Sequence, residues 1–224
     1  MNINDVKEEI EVPKNFVDIW KAIFEKQQAL ADKYSDIEKM GDLLQTTKNN
    51  VDTAKGQKWI KDFAWRVTEE LAEAFEAKEL MARDCDATDA SKTLPEQLKL
   101  ADEYTKHFKE ELADALHFLV ELTIIAGYNH EIVTRLEDRP FEKVTEKDAW
   151  PTVYKLGLLC NCLKNKPWKQ TQMLTDRPKF EKYLEETWTE MLRLLFIAIG
   201  TNEEIYIYYF KKNAVNQFRQ RSKY

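Results

Sequence analysis

No segment of this chain alternates apolar and polar residues with period two; where apolar side chains recur, they recur three or four residues apart. That spacing lines one face of an α-helix and does not line one face of a strand. Phe16, Ile19, Trp20, Ile23 and Phe24 predict a first helix over 13–34, opened by Pro13, which suits a first helical turn. Ile60, Phe63, Val67, Leu71 and Ala74 share one side of a second helix over 57–83. A third runs over 95–126, with Pro95 at its start and Gly127 as its stop. Short pieces are expected around Arg139-Pro140 and Trp150-Pro151, then helices over 151–165, 178–199 and 202–221. The polar stretch 35–56 reads mostly as loop. Five glycines and six prolines in 224 residues are too few to turn a sandwich or a doubly wound sheet. The expectation is an all-α helical bundle, one domain spanning 1–224.

Charge and cysteine content narrow the class further. A net charge of −6 argues against a broad phosphate-tracking surface, so no nucleic-acid partner is expected, although cations can still bridge the chain to an anionic ligand. Cys85, Cys160 and Cys162 are odd in number and lack zinc-ligand spacing; they read as reduced thiols of an intracellular, cytoplasmic protein. The charged opening MNINDVKEEIEVPK does not read as a signal peptide, and no run is long enough to span a membrane.

One acidic pattern occurs twice inside long predicted helices: EELAEA at 69–74 and EELADA at 110–115. Glu70 and Glu73 are three apart, as are Glu111 and Asp114, and residues three apart are neighbours on a helix surface. At about 100° per residue, Glu70 falls among Phe63, Val67 and Ala74, and Glu111 among Phe108, Leu112, Ala115, Leu119 and Leu122. Glu73 and Asp114 lie at the edges of those faces. A single such pattern is usually a solvated acidic face. Two copies, each with a glutamate on the apolar side, call for compensation, because carboxylates aimed into a core repel and are costly to bury. A hard divalent cation removes both difficulties, and Mg²⁺ takes carboxylate oxygens together with water and phosphate oxygens. Carboxylates from facing helices are an established way to build a metal site in a bundle.

The last helix carries Lys212, Asn216 and Arg219 on one stripe. Lysine and arginine can hold phosphate, and asparagine offers a donor and an acceptor. The plainer reading of this segment is a basic helix end complementing the macrodipole.

Taken together, Glu70/Glu73, Glu111/Asp114, the KNxxNxFRQ run at 212–220 and a terminal Tyr224 resemble the dimeric all-α dUTPases, within the MazG-like all-α NTP pyrophosphatases. IFEKQQALADKY at 23–34 is similar to that family's first motif. The resemblance implies that Glu70, Glu73, Glu111 and Asp114 bind two or three Mg²⁺ ions, and that Glu70 also orients or deprotonates the attacking water. It implies that His117 reaches the sugar 3′-hydroxyl and that Phe118 packs where a 2′-hydroxyl would sit. Lys212 and Arg219 would hold phosphates, Asn216 the sugar or base, and Gln27 the base. Three departures stand out: Ala31 where the family has asparagine, AFEAKELMARD in place of a tryptophan-rich stretch, and Lys223-Tyr224 in place of Gly-Tyr.

Apart from the resemblance, His117 falls away from the main apolar stripe and reads as a polar packing residue, and His107 reads as an edge histidine. Trp59, Phe63 and Trp65 are core by default, with one of them a candidate to stack on a base. Tyr206, Tyr208 and Tyr209 suggest packing or a subunit interface. The resulting expectation is Mg²⁺-dependent hydrolysis of dUTP to dUMP and pyrophosphate by a homodimer. With Ala31 in place of a base contact, a dCTP, mixed dCTP/dUTP or broader house-cleaning pyrophosphatase is the alternative within enzymes. A catalytically dead helical interaction protein is the alternative outside them.

Overall fold

A computed structural model describes residues 6, 10–44, 48–85, 92–136, 144–164 and 173–221. Among them there are six α-helices, three short 3₁₀ helices and no strand. The helices are α1 (Phe16–Glu38), α2 (Ala54–Asp84), α3 (Leu94–Ile125), α4 (Glu146–Cys162), α5 (Arg177–Ala198) and α6 (Asn202–Arg221). No helix among the described residues is long and apolar enough to cross a membrane.

Local chemistry sets the helix starts. The side chain of Asn15 accepts the Asp18 backbone N–H at 3.0 Å at the head of α1. Thr93 and Glu96 form a capping box at α3, with Pro95 in the first turn. The expectation for α4 is corrected here. The helix opens five residues before Pro151, because Thr145 and Asp148 form a capping box that the proline signal had masked. Pro151 then sits in the second turn, and Trp150-Pro151 is helix rather than a separate piece. The expected piece at Arg139-Pro140 lies outside the described residues.

The stretch 35–56 is more structured than its polarity suggests. α1 continues to Glu38, and 3₁₀ helices occupy Gly41–Leu44 and Lys48–Asp52. Met40, Leu43, Leu44 and Val51 are buried there. The Asn50 side-chain amide donates to the carbonyls of Leu43 and Ile125 at 2.7 and 2.8 Å, tying this segment to the end of α3. Gly56 lets α2 start against it, since a Cβ there would stand 2.1 Å from the Asn50 carbonyl oxygen. Gly127, at φ 84°, ends α3 in a conformation that side chains rarely adopt.

α2 and α3 pack along most of their length. Phe63 meets Phe118 and Phe75 meets Phe108, so the two helices run antiparallel. α4 pairs with α5, and α6 lies against α1 and α3. A continuous apolar core runs from Ile19 to Tyr209 and includes the edge-on ring pair Trp20 and Trp188. Both indole N–H groups are satisfied, by Asn202 Oδ1 at 3.1 Å and Thr123 Oγ1 at 3.0 Å. α1 and α6 thus pack on each other and both on α3.

Candidate active site

The antiparallel pairing brings Glu70 of α2 opposite Glu111 and Asp114 of α3. One ligand oxygen from each lies within 4.8 Å of the other two. Glu111 is buried and the other two are half-buried. Burial, with Asp114 and Glu111 beside it, pushes the Glu70 carboxyl up to about 9, so in the ion-free protein it keeps its proton at neutral pH. Glu73 adds a smaller effect of the same sign. It is exposed and stands outside the three-carboxyl cluster, lining instead a groove between α2 and α4 with Trp150 and Val153. His107 Nδ1 lies 3.0 Å from Glu111 Oε1, and its exposed position agrees with the edge-histidine reading.

Lys212 of α6 enters this cluster from above. Its Nζ stands 2.6 Å from Asp114 Oδ2, and the residue is 6% exposed. Desolvation alone would lower its pKa, but Asp114, Glu111 and Glu110 together outweigh that and raise it. The lysine therefore stays charged and neutralises part of the acidic cluster.

Beside the carboxyls is a cavity of about 270 Å³, lined by Gln27, Tyr34, Arg66, Glu70, Asp114 and His117, and further by Phe118, Glu121, Asn216 and Arg219. The sequence-predicted site residues therefore converge, except for Glu73, with Lys212 reaching the cavity through Asp114. His117 packs on a second face of α3, as the polar-packing reading expects. It is 3% exposed, because Tyr209 of α6 stacks on its ring at 3.9 Å. Burial pushes its pKa down to about 4. Its Nδ1 lies 2.7 Å from the Ala113 carbonyl oxygen, which can only accept, so Nδ1 carries the proton. Nε2 is then a bare acceptor, buried and without a hydrogen-bond partner among the described residues. Phe118 rests on Phe63, and the Arg66 guanidinium lies over both rings.

Gln27 is 2% exposed and held on two sides: its Nε2 donates to Glu121 Oε2 at 2.7 Å, and its Oε1 accepts from the Tyr209 hydroxyl at 2.7 Å. Ala31 is fully buried, so the position that suggested a lost base contact does not face the cavity. None of Trp59, Phe63 and Trp65 is among the cavity's lining residues; Trp65 is exposed and donates to Glu69.

Among the site residues that the sequence reading did not assign to it, three had a signal in their spacing. Arg66 precedes Glu70 by one turn, Glu121 follows His117 by one turn, and Tyr209 precedes Lys212 by three residues. Each shares a helix face with a residue already singled out.

A family model described as dUTPase matches residues 98–224, more than half of the chain. This chain belongs to the all-helical dUTPase family. As a dUTPase family member it is a nucleoside triphosphate pyrophosphatase hydrolase. The matched stretch contains Glu111, Asp114, His117, Phe118, Lys212, Asn216 and Arg219, while Gln27, Glu70 and Glu73 precede it. No curated protein and no solved structure gives a significant match.

Proposed function

We propose that the chain hydrolyses a deoxynucleoside triphosphate, dUTP foremost, to the monophosphate and pyrophosphate in the presence of Mg²⁺. The observation that carries this reading is the meeting of Glu70, Glu111 and Asp114 beside a cavity lined by Glu70 and Asp114 together with His117, Asn216 and Arg219.

The donor set fits a hard cation. All three groups are carboxyl oxygens, and Glu70 is forced to hold a proton when nothing else offsets its neighbours. Glu70, Glu111 and Asp114 would hold the metal, with Glu73 within electrostatic reach to share in a second ion. Bound Mg²⁺ supplies charge neutralisation on phosphate oxygens and acidifies water at the site. Glu70, once deprotonated, accepts the proton of the attacking water. Lys212 and Arg219 place positive charge where phosphate charge spreads during cleavage. The bare Nε2 of His117 accepts a hydrogen bond from the sugar 3′-hydroxyl, and Asn216 contacts sugar or base. Phe118 leaves a ribose 2′-hydroxyl without a partner, which disfavours ribonucleotides by about ten- to a hundredfold. Three cysteine thiols suit a reducing compartment, and the enzyme is read as a cytoplasmic homodimer.

The test is side-by-side turnover of dUTP, dCTP, dTTP and UTP with Mg²⁺, with the products identified. Release of pyrophosphate from dUTP, at a kcat/KM well above that for UTP, is expected. Equal values for dUTP and UTP, or release of single phosphate, would contradict the reading.

A further inference from the structure

The cavity wall beyond the sugar position carries an acidic group that the reaction as described leaves unused. Glu121 lies seven residues past Asp114 on α3, with His117 between them. Seven residues advance about 10 Å along a helix axis, comparable with the reach of an extended nucleotide from its α-phosphorus to its base. A substrate whose phosphates meet Asp114 and whose sugar meets His117 brings its base to Glu121. There Glu121, 7% exposed, lines the cavity beside Gln27.

The amide of Gln27 has a fixed sense. Oε1 takes the Tyr209 hydroxyl and one Nε2–H goes to Glu121. A primary amide has two N–H donors, so the second is the group that Gln27 retains for a ligand. A flipped amide would set its oxygen against the Glu121 carboxylate. The wall thus presents an N–H donor next to a carboxylate acceptor.

With Gln27 on the base as the resemblance implies, we propose that Glu121 is the acceptor that completes a donor–acceptor pair against its Watson–Crick edge, and is the specificity-determining residue that admits cytosine. The carboxylate accepts the exocyclic amine of cytosine while Gln27 donates to its ring N3. This is the pairing by which carboxylates recognise that amine in base readout. Uracil satisfies the same pair with its N3–H and a flanking carbonyl, so dCTP is a substrate alongside dUTP. The inference rests on the pyrophosphatase reading of the site.

Steady-state turnover by the full chain with Mg²⁺ tests it. The wild type should process dCTP with kcat/KM within about tenfold of dUTP, and Glu121→Gln should lower the dCTP-to-dUTP ratio by about ten- to a hundredfold. Replacing one carboxylate oxygen by NH₂ opposes the cytosine amine and suits a uracil carbonyl, whereas a purely structural role would lower both activities together. A second measurement needs no variant. The triphosphate of deoxyribosyl pyrimidin-2-one, which lacks the amine, should react at least about tenfold worse than dCTP with the wild type. A ratio that the variant leaves within about twofold, an amine-less analogue as good as dCTP, or rejection of dCTP by an enzyme active on dUTP would overturn the inference alone. A wild type inactive on every deoxynucleoside triphosphate would instead overturn the pyrophosphatase reading, and this inference with it.

Discussion

Glu70 keeps its proton in the ion-free protein because burial and two neighbouring carboxyls oppose a third negative charge. The sign of the consequence follows. The folded pKa, about 9, is above the ordinary 4.5, so between those values the folded chain holds a proton that the unfolded chain has released. Stability of the ion-free protein from this group therefore falls as pH rises through that window. A divalent cation must displace the same proton, so its apparent affinity should rise by about tenfold per pH unit up to that pKa. Mg²⁺ titrations followed by thermal shift at about pH 6, 7 and 8 would check this; an affinity independent of pH would rule out Glu70 as a ligand. His117 acts with the opposite sign: burial holds its folded pKa near 4, below the ordinary 6.5, so stability from this group rises as pH climbs between those values and is level above them, while the folded imidazole stays neutral throughout the metal titration.

At the scale of elements, Lys212 ties α6 to α3 through Asp114, and the buried pair stands in for a cation. Lys212→Met keeps the apolar stem and removes the charge. It should destabilise the ion-free protein by on the order of 3 kcal/mol, the cost of breaking a buried pair. Added Mg²⁺ should recover part of that loss, since it binds the folded cluster only. Denaturant unfolding with and without Mg²⁺ would decide, and an unchanged stability without metal would show that the pair is not buried as described. The helices bearing the site were legible because their apolar residues keep a 3.6 period and their ends carry caps and stops. The expected bounds of α6 coincide with the observed ones, and α3 differs by one residue at each end. The 3₁₀ turns at 41–44 and 48–52 were not legible. Their order comes from Asn50 bonding to the distant Ile125 carbonyl, a tertiary contact that local sequence does not encode. His117, read as a polar packing residue, packs through a contact that the wheel of α3 does not show: Tyr209 of α6 stacks on its ring.

On the scale of the whole molecule, Tyr206, Tyr208 and Tyr209 are expected to serve packing or a subunit interface, and burial of Tyr206 and Tyr209 within their own chain favours packing. The homodimer reading now rests on other surface: Trp65, Trp150 and Tyr154 of α2 and α4 are exposed. Light scattering should give about twice the 26.5 kDa chain mass; the mass of a single chain at micromolar concentration would refute it. Glu70, Asp114, Asn216 and Arg219 line one cavity of one chain, so a mixture of Glu70→Gln and Arg219→Ala subunits should recover no activity. Recovery toward a quarter of the wild-type rate would show that subunits share sites.

The most direct measurement of all is on Glu70→Gln. Glutamine is the isosteric copy of the protonated carboxyl present in the ion-free protein at neutral pH. The melting temperature without metal should therefore match or exceed that of the wild type, while the Mg²⁺-induced rise disappears and dUTP turnover falls by at least about a hundredfold, the scale of losing a general base. A variant that keeps the Mg²⁺-dependent turnover of the wild type would contradict the assignment of this acidic cluster as the catalytic metal centre.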